Sequence, residues 1–234
     1  MSGGGVLVII PACNEAASLP HTLDEVRARA PGMDLLVVDD GSRDDTARAP
    51  HDRGVPVLRH VVNLGVGAAL QTGLRFALER GYDVAVQLDA DGQHDPSYLE
   101  ALVRPVLAGE CDVAIGSRFV ARTSYHAPLT RRAGMLLFSG VVRLLTGQRI
   151  TDTTSGFRAY GREAMEACQR DLPRDFPDAP FLITLARRGF RLREIPVEMR
   201  ERRAGDSFYT LSKTLYYPYK NLLASLMAWL RRPA

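Results

Sequence analysis

Cysteine is scarce in this 234-residue chain, with Cys13, Cys111 and Cys168 as the whole complement. An odd number without metal-ligand spacing excludes a disulfide framework and a cysteine-held zinc, and points to free thiols in a reducing compartment. Long apolar runs are also missing. No uncharged hydrophobic stretch approaches the roughly 18 to 20 residues that cross a bilayer, and the longest candidate, 221–230, is far shorter. Residues 1–5 lack a basic cluster, and 6–10 is too short for the apolar core of a secretion signal, so the start is expected to be a first strand. Carboxylates are absent between Asp112 and Asp152, where six arginines lie (Arg118, Arg122, Arg131, Arg132, Arg143, Arg149). They are absent again after Asp206, where Lys213, Lys220, Arg231 and Arg232 follow. The net charge of +3 is too mild to imply nucleic acid. Its distribution gives one end that meets anions and another, rich in paired acids, that holds a cation or hydroxyls.

What is present is an alternation of short apolar runs with helix-length segments. Residues 6–10, 35–38, 55–59, 84–88 and 113–115 read as buried strands, and 15–30, 44–51, 67–80 and 96–108 as helices. This rhythm predicts an α/β domain with a mostly parallel, Rossmann-like sheet flanked by helices. Further on, helices are expected at 130–146, 162–170 and 179–188, a polar turn at 151–156, a strand at 192–199 and a last helix from Leu211. We divide the chain into one domain over 1–210 and a C-terminal amphipathic extension over 211–234.

In parallel sheets the functional groups collect where strands end at their carboxyl edge. Residues 11–15, 39–42, 63–67 and 89–93 all follow strands directly. Asp89-Ala90-Asp91, beside Gln93, places two carboxylates that repel one another unless a cation lies between them. Oxygen donors of this kind suit Mg²⁺ or Mn²⁺ with positions left for substrate phosphates. The plain alternative is a turn. Asp39-Asp40-Gly41-Ser42 ends an earlier strand; its carboxylates can accept from ribose hydroxyls or a base N–H, while Ser42 or Asp44 caps the next helix. Glu15 is expected at the start of the first helix, near the same pocket or as a helix-dipole partner. Asn63-Leu64-Gly65-Val66-Gly67 lacks the third glycine of a dinucleotide fingerprint, Leu70 standing there, and reads as a tight turn that approaches a ligand.

Six stretches in order, 11–15 (PACNE), 37–42 (VVDDGS), 88–96 (LDADGQHDP), 116–118 (GSR), 154–158 (TSGFR) and 202–207 (RRAGDS), resemble inverting family 2 glycosyltransferases. The last two resemble the branch of dolichyl-phosphate mannose synthase and bacterial polyprenyl-phosphate glycosyltransferases. The resemblance implies a GT-A fold and a divalent metal. By its pattern Pro11, Ala12, Glu15, Val37, Asp39, Asp40, Ser42 and Gly65, with Asp89 and Ala90, line the nucleotide-sugar pocket. Asp89, Asp91 and Gln93 hold the metal, and Asp91, Arg118 and Arg202 are the catalytic set. Arg118, Arg131, Arg132, Arg202 and Ser207 grip the acceptor phosphate, for which guanidinium forks are suited. Phe208 stands where the mannose synthases commonly carry lysine, so mannose and dolichol do not carry over.

The implied partners are a UDP- or GDP-linked sugar and a polyprenyl phosphate. An acceptor hydroxyl would require a general base, with Asp152 and Asp178 as candidates, whereas a lipid phosphate is already ionised and needs only positioning. A processive polysaccharide synthase is excluded by the missing Gln-x-x-Arg-Trp motif, and an aspartyl-phosphate phosphatase by Gln93 in place of its hydroxyl residue. A non-catalytic nucleotide-sugar-binding subunit is the remaining alternative. Leucines, tyrosines and Trp229 with lysines and arginines over 211–232 fit a headgroup boundary, hence peripheral attachment at the cytoplasmic face of a membrane, or contact with a small membrane partner.

Overall fold

The computed structural model describes residues 5–120, 129–172, 179–200 and 222–230, with the main chain alone over 129–137. Its centre is a seven-stranded sheet in the order β3-β2-β1-β4-β6-β5-β7. β1 (Val6–Ala12) pairs in parallel with β2 (Asp34–Asp39) on one side and β4 (Val84–Gln87) on the other, and β3 (Val57–Arg59) extends the β2 edge. β5 (Val113–Ser117) and β7 (Leu192–Pro196) are also parallel. β6 (Arg158–Gly161) lies between β4 and β5, antiparallel to both.

The central strands β1, β2 and β4 read as mostly apolar runs because both faces of the sheet are covered there. Leu7 and Ile9 of β1 join a core with α3 (Val66–Arg80), α5 (Leu129–Thr146), α6 (Arg162–Asp171) and α7 (Ala179–Arg187). Val8 and Ile10 point the other way, into a core with α1 (Leu19–Arg29) and α4 (Leu99–Leu107). Every one of these four β1 side chains is at most 1% exposed. Removing any of them to alanine would cost about 2 to 5 kcal/mol.

Several elements differ from the sequence reading. α1 starts at Leu19, not Glu15, because Pro20 suits a first turn and the amides of Asn14, Glu15 and Ala16 are taken by the neighbouring loop. α2 is a single turn, Arg48–Asp52, because Asp44 bends back onto Thr46 and Ala16. β6 was not foreseen. The expected last helix is described only over 222–230.

Candidate active site

The carboxyl ends of β1, β2 and β4 converge, and the loops that follow are laced together. Asn14 adopts a left-handed conformation (φ 57°). Its N–H donates to Ser42 Oγ (2.9 Å), while its own Oδ1 accepts from Arg43 N–H (2.9 Å). Glu15 N–H donates to Thr46 Oγ1 (2.8 Å) and Ala16 N–H to Asp44 Oδ2 (3.1 Å). The Glu15 carboxylate accepts from Ser18. Thr22 of α1 donates to the carbonyl of Ala90 (3.0 Å), tying the first helix to the acidic loop after β4. Pro11, Ala12 and Ala90 are buried, and Val37 is wholly enclosed in the core, so any contact it makes with a ligand is through its main chain.

Asp39 and Asp40 divide the work. Asp39 is wholly buried; its Oδ1 accepts from Ser42 N–H (2.9 Å). Arg59 Nε stands 3.1 Å from Oδ2 but too obliquely to donate, so that buried oxygen feels a charge without an aligned hydrogen bond. Asp40 is fully engaged. Oδ1 accepts from Leu64 N–H (2.9 Å) and His60 Nδ1 (2.7 Å), and Oδ2 from Gly65 N–H (2.9 Å). The sequence reading left Asp40 open to a ligand; here it builds the loop that a ligand would meet. Gly41 is obligatory in that turn: its φ is +70°, and a Cβ would lie 2.5 Å from the main chain of Val62. Burial pushes the Cys13 thiol above its ordinary value, with Asp40, Asp39 and Asp44 adding to the rise against the pull of the Asn63 amide. A shift in this direction lowers the thiolate fraction of Cys13 and with it its nucleophilicity.

Asp89 and Asp91 follow β4. The Asp89 side chain is 38% exposed, whereas Asp91 is buried and accepts from Gln93 N–H at Oδ1 (3.0 Å). Gly156, which leads into β6, passes so near that a Cβ would lie 3.2 and 3.3 Å from the Asp89 oxygens and 2.9 Å from Gln87 Nε2. His94 is buried and stacks on Phe157, with ring centroids 4.9 Å apart. Arg200, just after β7, reaches back across the loop. Its N–H donates to Gln93 O (2.9 Å), Nη1 bonds Glu25 (2.8 and 2.9 Å) and Nη2 lies 2.8 Å from Asp95.

Arg118 and Asp152, kept apart in the sequence reading, meet. Arg118 Nε and N–H both donate to Oδ2 (2.7 and 3.2 Å), and Nη2 donates to Oδ1 (2.8 Å) and to Thr154 Oγ1 (3.1 Å). A guanidinium so bound does not present its fork to a phosphate, and neither Asp152 oxygen is open to a hydroxyl. In this fold the two groups expected to serve the acceptor spend these hydrogen bonds on one another. Glu194 of β7 holds the same turn by accepting from the amides of Thr151 (2.9 Å) and Asp152 (2.7 Å). The side chains of Arg131 and Arg132, and residues Asp178, Arg202 and Ser207, lie outside the described residues.

Among the described residues no group of three or more His, Cys, Asp or Glu side chains could hold a metal by itself. The donor chemistry of Asp89 and Asp91 nonetheless fits Mg²⁺ or Mn²⁺, which are commonly held by one or two carboxylates together with water and substrate phosphates.

The family model described as "Glycosyl transferase family 2" matches residues 7–168, which takes in every loop just described except the β7 side. The chain belongs to glycosyl transferase family 2. This family 2 transferase is 38% identical over 213 residues to the undecaprenyl-phosphate mannosyltransferase of Micrococcus luteus, covering 86% of each chain. It is 39% identical over 213 residues to the polyprenol monophosphomannose synthase of Mycolicibacterium smegmatis, covering 86% of this chain and 79% of the relative. Among solved structures, Mycobacterium tuberculosis glucosyl-3-phosphoglycerate synthase in complex with Mn²⁺ and UDP-glucose superposes with a TM-score of 0.73 at 22% identity, over 96% of this chain and 78% of that one. That likeness concerns the fold, which is GT-A as the motifs implied.

The sequence reading missed three residues of this region: Arg59, Gly156 and His94. His94 and Gly156 lie within the quoted motifs, and a pattern of alternating acids and polar residues marked the stretch without assigning them.

Proposed function

We propose that the chain transfers a sugar from a nucleoside diphosphate donor to a polyprenyl phosphate, with inversion at the anomeric carbon. The observation that carries the choice of acceptor is the closed Arg118–Asp152 pair. A hydroxyl acceptor requires a base, and the one candidate base within the described residues has both oxygens occupied. A phosphate acceptor arrives ionised and requires none. The two bacterial relatives, whose names state polyprenyl-type acceptors, support the same reading.

In this reading Asp89 and Asp91, with Gln93, hold Mg²⁺ or Mn²⁺ against the donor diphosphate. Bound there, the ion offsets the charge that gathers on the departing nucleotide. Asp39 Oδ2 receives an N–H or hydroxyl of the nucleoside once Arg59, whose side chain is 57% exposed, swings aside. The main chain of Pro11, Ala12 and Val37, with Glu15, Ser42, Gly65 and Ala90, walls the nucleotide, and Asp40 shapes that wall. Arg131, Arg132, Arg202 and Ser207 grip the acceptor phosphate. Arg118 serves by fixing the 151–156 turn beside Asp89.

Membrane association at the cytoplasmic face belongs to the same proposal. Among the described residues no helix is long and apolar enough to cross a membrane. The helix over 222–230 leaves Leu222, Leu223, Leu226, Met227 and Leu230 between 44 and 64% exposed, while Ser225 is buried and Ala228 packs on the core. One wet apolar stripe on a short helix, flanked in sequence by Lys220, Arg231 and Arg232, suits the headgroup boundary. The test is a panel of UDP- and GDP-sugars with Mn²⁺ and a short polyprenyl phosphate, read by mass spectrometry. A lipid-linked sugar is expected; transfer only to a free saccharide would overturn the acceptor assignment.

A further inference from the structure

We infer that His94 is a positioning residue for Asp89, acting through its Nδ1 atom. The inference rests on the metal-holding role proposed for Asp89.

His94 Nδ1 lies 3.0 Å from the Asp89 main-chain nitrogen. An amide N–H can only donate, so Nδ1 is the acceptor and the ring is neutral with its proton on Nε2. That fixes what the ring does. Nε2 stands 3.6 Å from Asp89 Oδ2, beyond hydrogen-bond range, so the contact with the carboxylate is neither an ion pair nor a bond. The hold is on the main chain of Asp89, and the carboxylate stays available.

The ring itself has little room to move. It is 4% exposed and lies almost flat on Phe157, with an interplanar angle of 12°. Phe157 directly follows Gly156, where an added Cβ would lie 3.2 and 3.3 Å from the Asp89 oxygens. His94 also bridges to Met199, beside Arg200, which anchors Gln93. The imidazole thus joins the strand end that bears Asp89 to the β6 entry, while the main chain of the same residue reaches the β7 exit. Groups that orient a metal ligand in this way typically account for about 10- to 100-fold in metal affinity.

The experiment separates the two nitrogens. In His94→Asn the amide oxygen replaces Nδ1; in His94→Gln it replaces Nε2; in His94→Phe the stack remains and both nitrogens are gone. Binding of Mn²⁺ to the full-length protein is followed by loss of the free-ion EPR signal, with UDP or GDP in separate arms, and each variant's thermal unfolding is recorded. His94→Asn is expected to bind within about threefold of the wild-type chain, and His94→Gln and His94→Phe to bind about tenfold or more weakly. Equal affinity in all three variants would overturn the inference, as would a weakened Asn variant beside an intact Gln variant. Absence of Mn²⁺ binding by the wild-type chain in both arms would overturn the metal reading itself, and this inference with it.

Discussion

Arg118 and Asp152 form a two-pronged ion pair in which the aspartate is wholly buried and the arginine side chain 8% exposed. Removing one partner of such a pair leaves an uncompensated buried charge, which costs about 3 to 5 kcal/mol. Arg118→Ala is therefore expected to lower stability by that amount in urea unfolding, and Arg118→Lys to restore only part because an ammonium cannot fork. Unchanged stability in Arg118→Ala would show that the pair does not hold the turn.

Gly156→Ala tests the packing against the acidic loop. The added methyl would lie 2.9 Å from Gln87 Nε2 and 3.2 Å from an Asp89 oxygen, and Gln87 is itself buried. These side-chain ends must give by a few tenths of an ångström, and in the proposed function that shifts the carboxylate which meets the metal. We expect kcat/KM to fall by about tenfold while the unfolding midpoint moves little. Wild-type kinetics in this variant would show that the Asp89 carboxylate is not held in place by its contact with Gly156.

Asp95 gives a pH dependence. Burial alone would raise its carboxyl, but the Ser97 amide and hydroxyl and then Arg200 outweigh it, and it titrates below its ordinary value of 3.8. A carboxylate with a depressed folded value contributes stability that is complete above the unfolded value and disappears as pH falls through the folded one. Urea midpoints measured from pH 6 to pH 2 should decline below about pH 4, and less steeply in Asp95→Asn. Parallel curves for the two proteins would contradict the assignment.

The exposed stripe on the 222–230 helix is tested by Leu226→Glu with Met227→Glu, positions 48 and 51% exposed. Sedimentation with vesicles containing anionic lipid should fall by about tenfold or more, since two apolar side chains leave the interface and two negative charges enter it. The thermal unfolding midpoint should be unchanged.

The sequence disclosed the frame through the strands whose two faces are both covered. β1, β2, β4 and β5 are mostly apolar runs, and acids stand at or near the ends of β1, β2 and β4. β6 left no such trace: it is four residues long, and Arg158 and Tyr160 are buried in it, so it reads as polar. Its position depends on pairing with strands more than 40 residues away, for which loop closure and register carry no local pattern. The same distance hid the fates of Asp40 and Arg118. Asp40 is consumed by amides 24 and 25 residues on, and Arg118 by a carboxylate 34 residues on. Local chemistry marked these side chains as candidates; only the fold shows which of them a neighbour engages.

The most direct test of the account is anomalous diffraction at the manganese edge from crystals grown with Mn²⁺ and a nucleoside diphosphate. The account predicts a peak within about 2.0 to 2.4 Å of carboxylate oxygens of Asp89 or Asp91 and of a diphosphate oxygen. A bound diphosphate with no peak beside those two aspartates would contradict it.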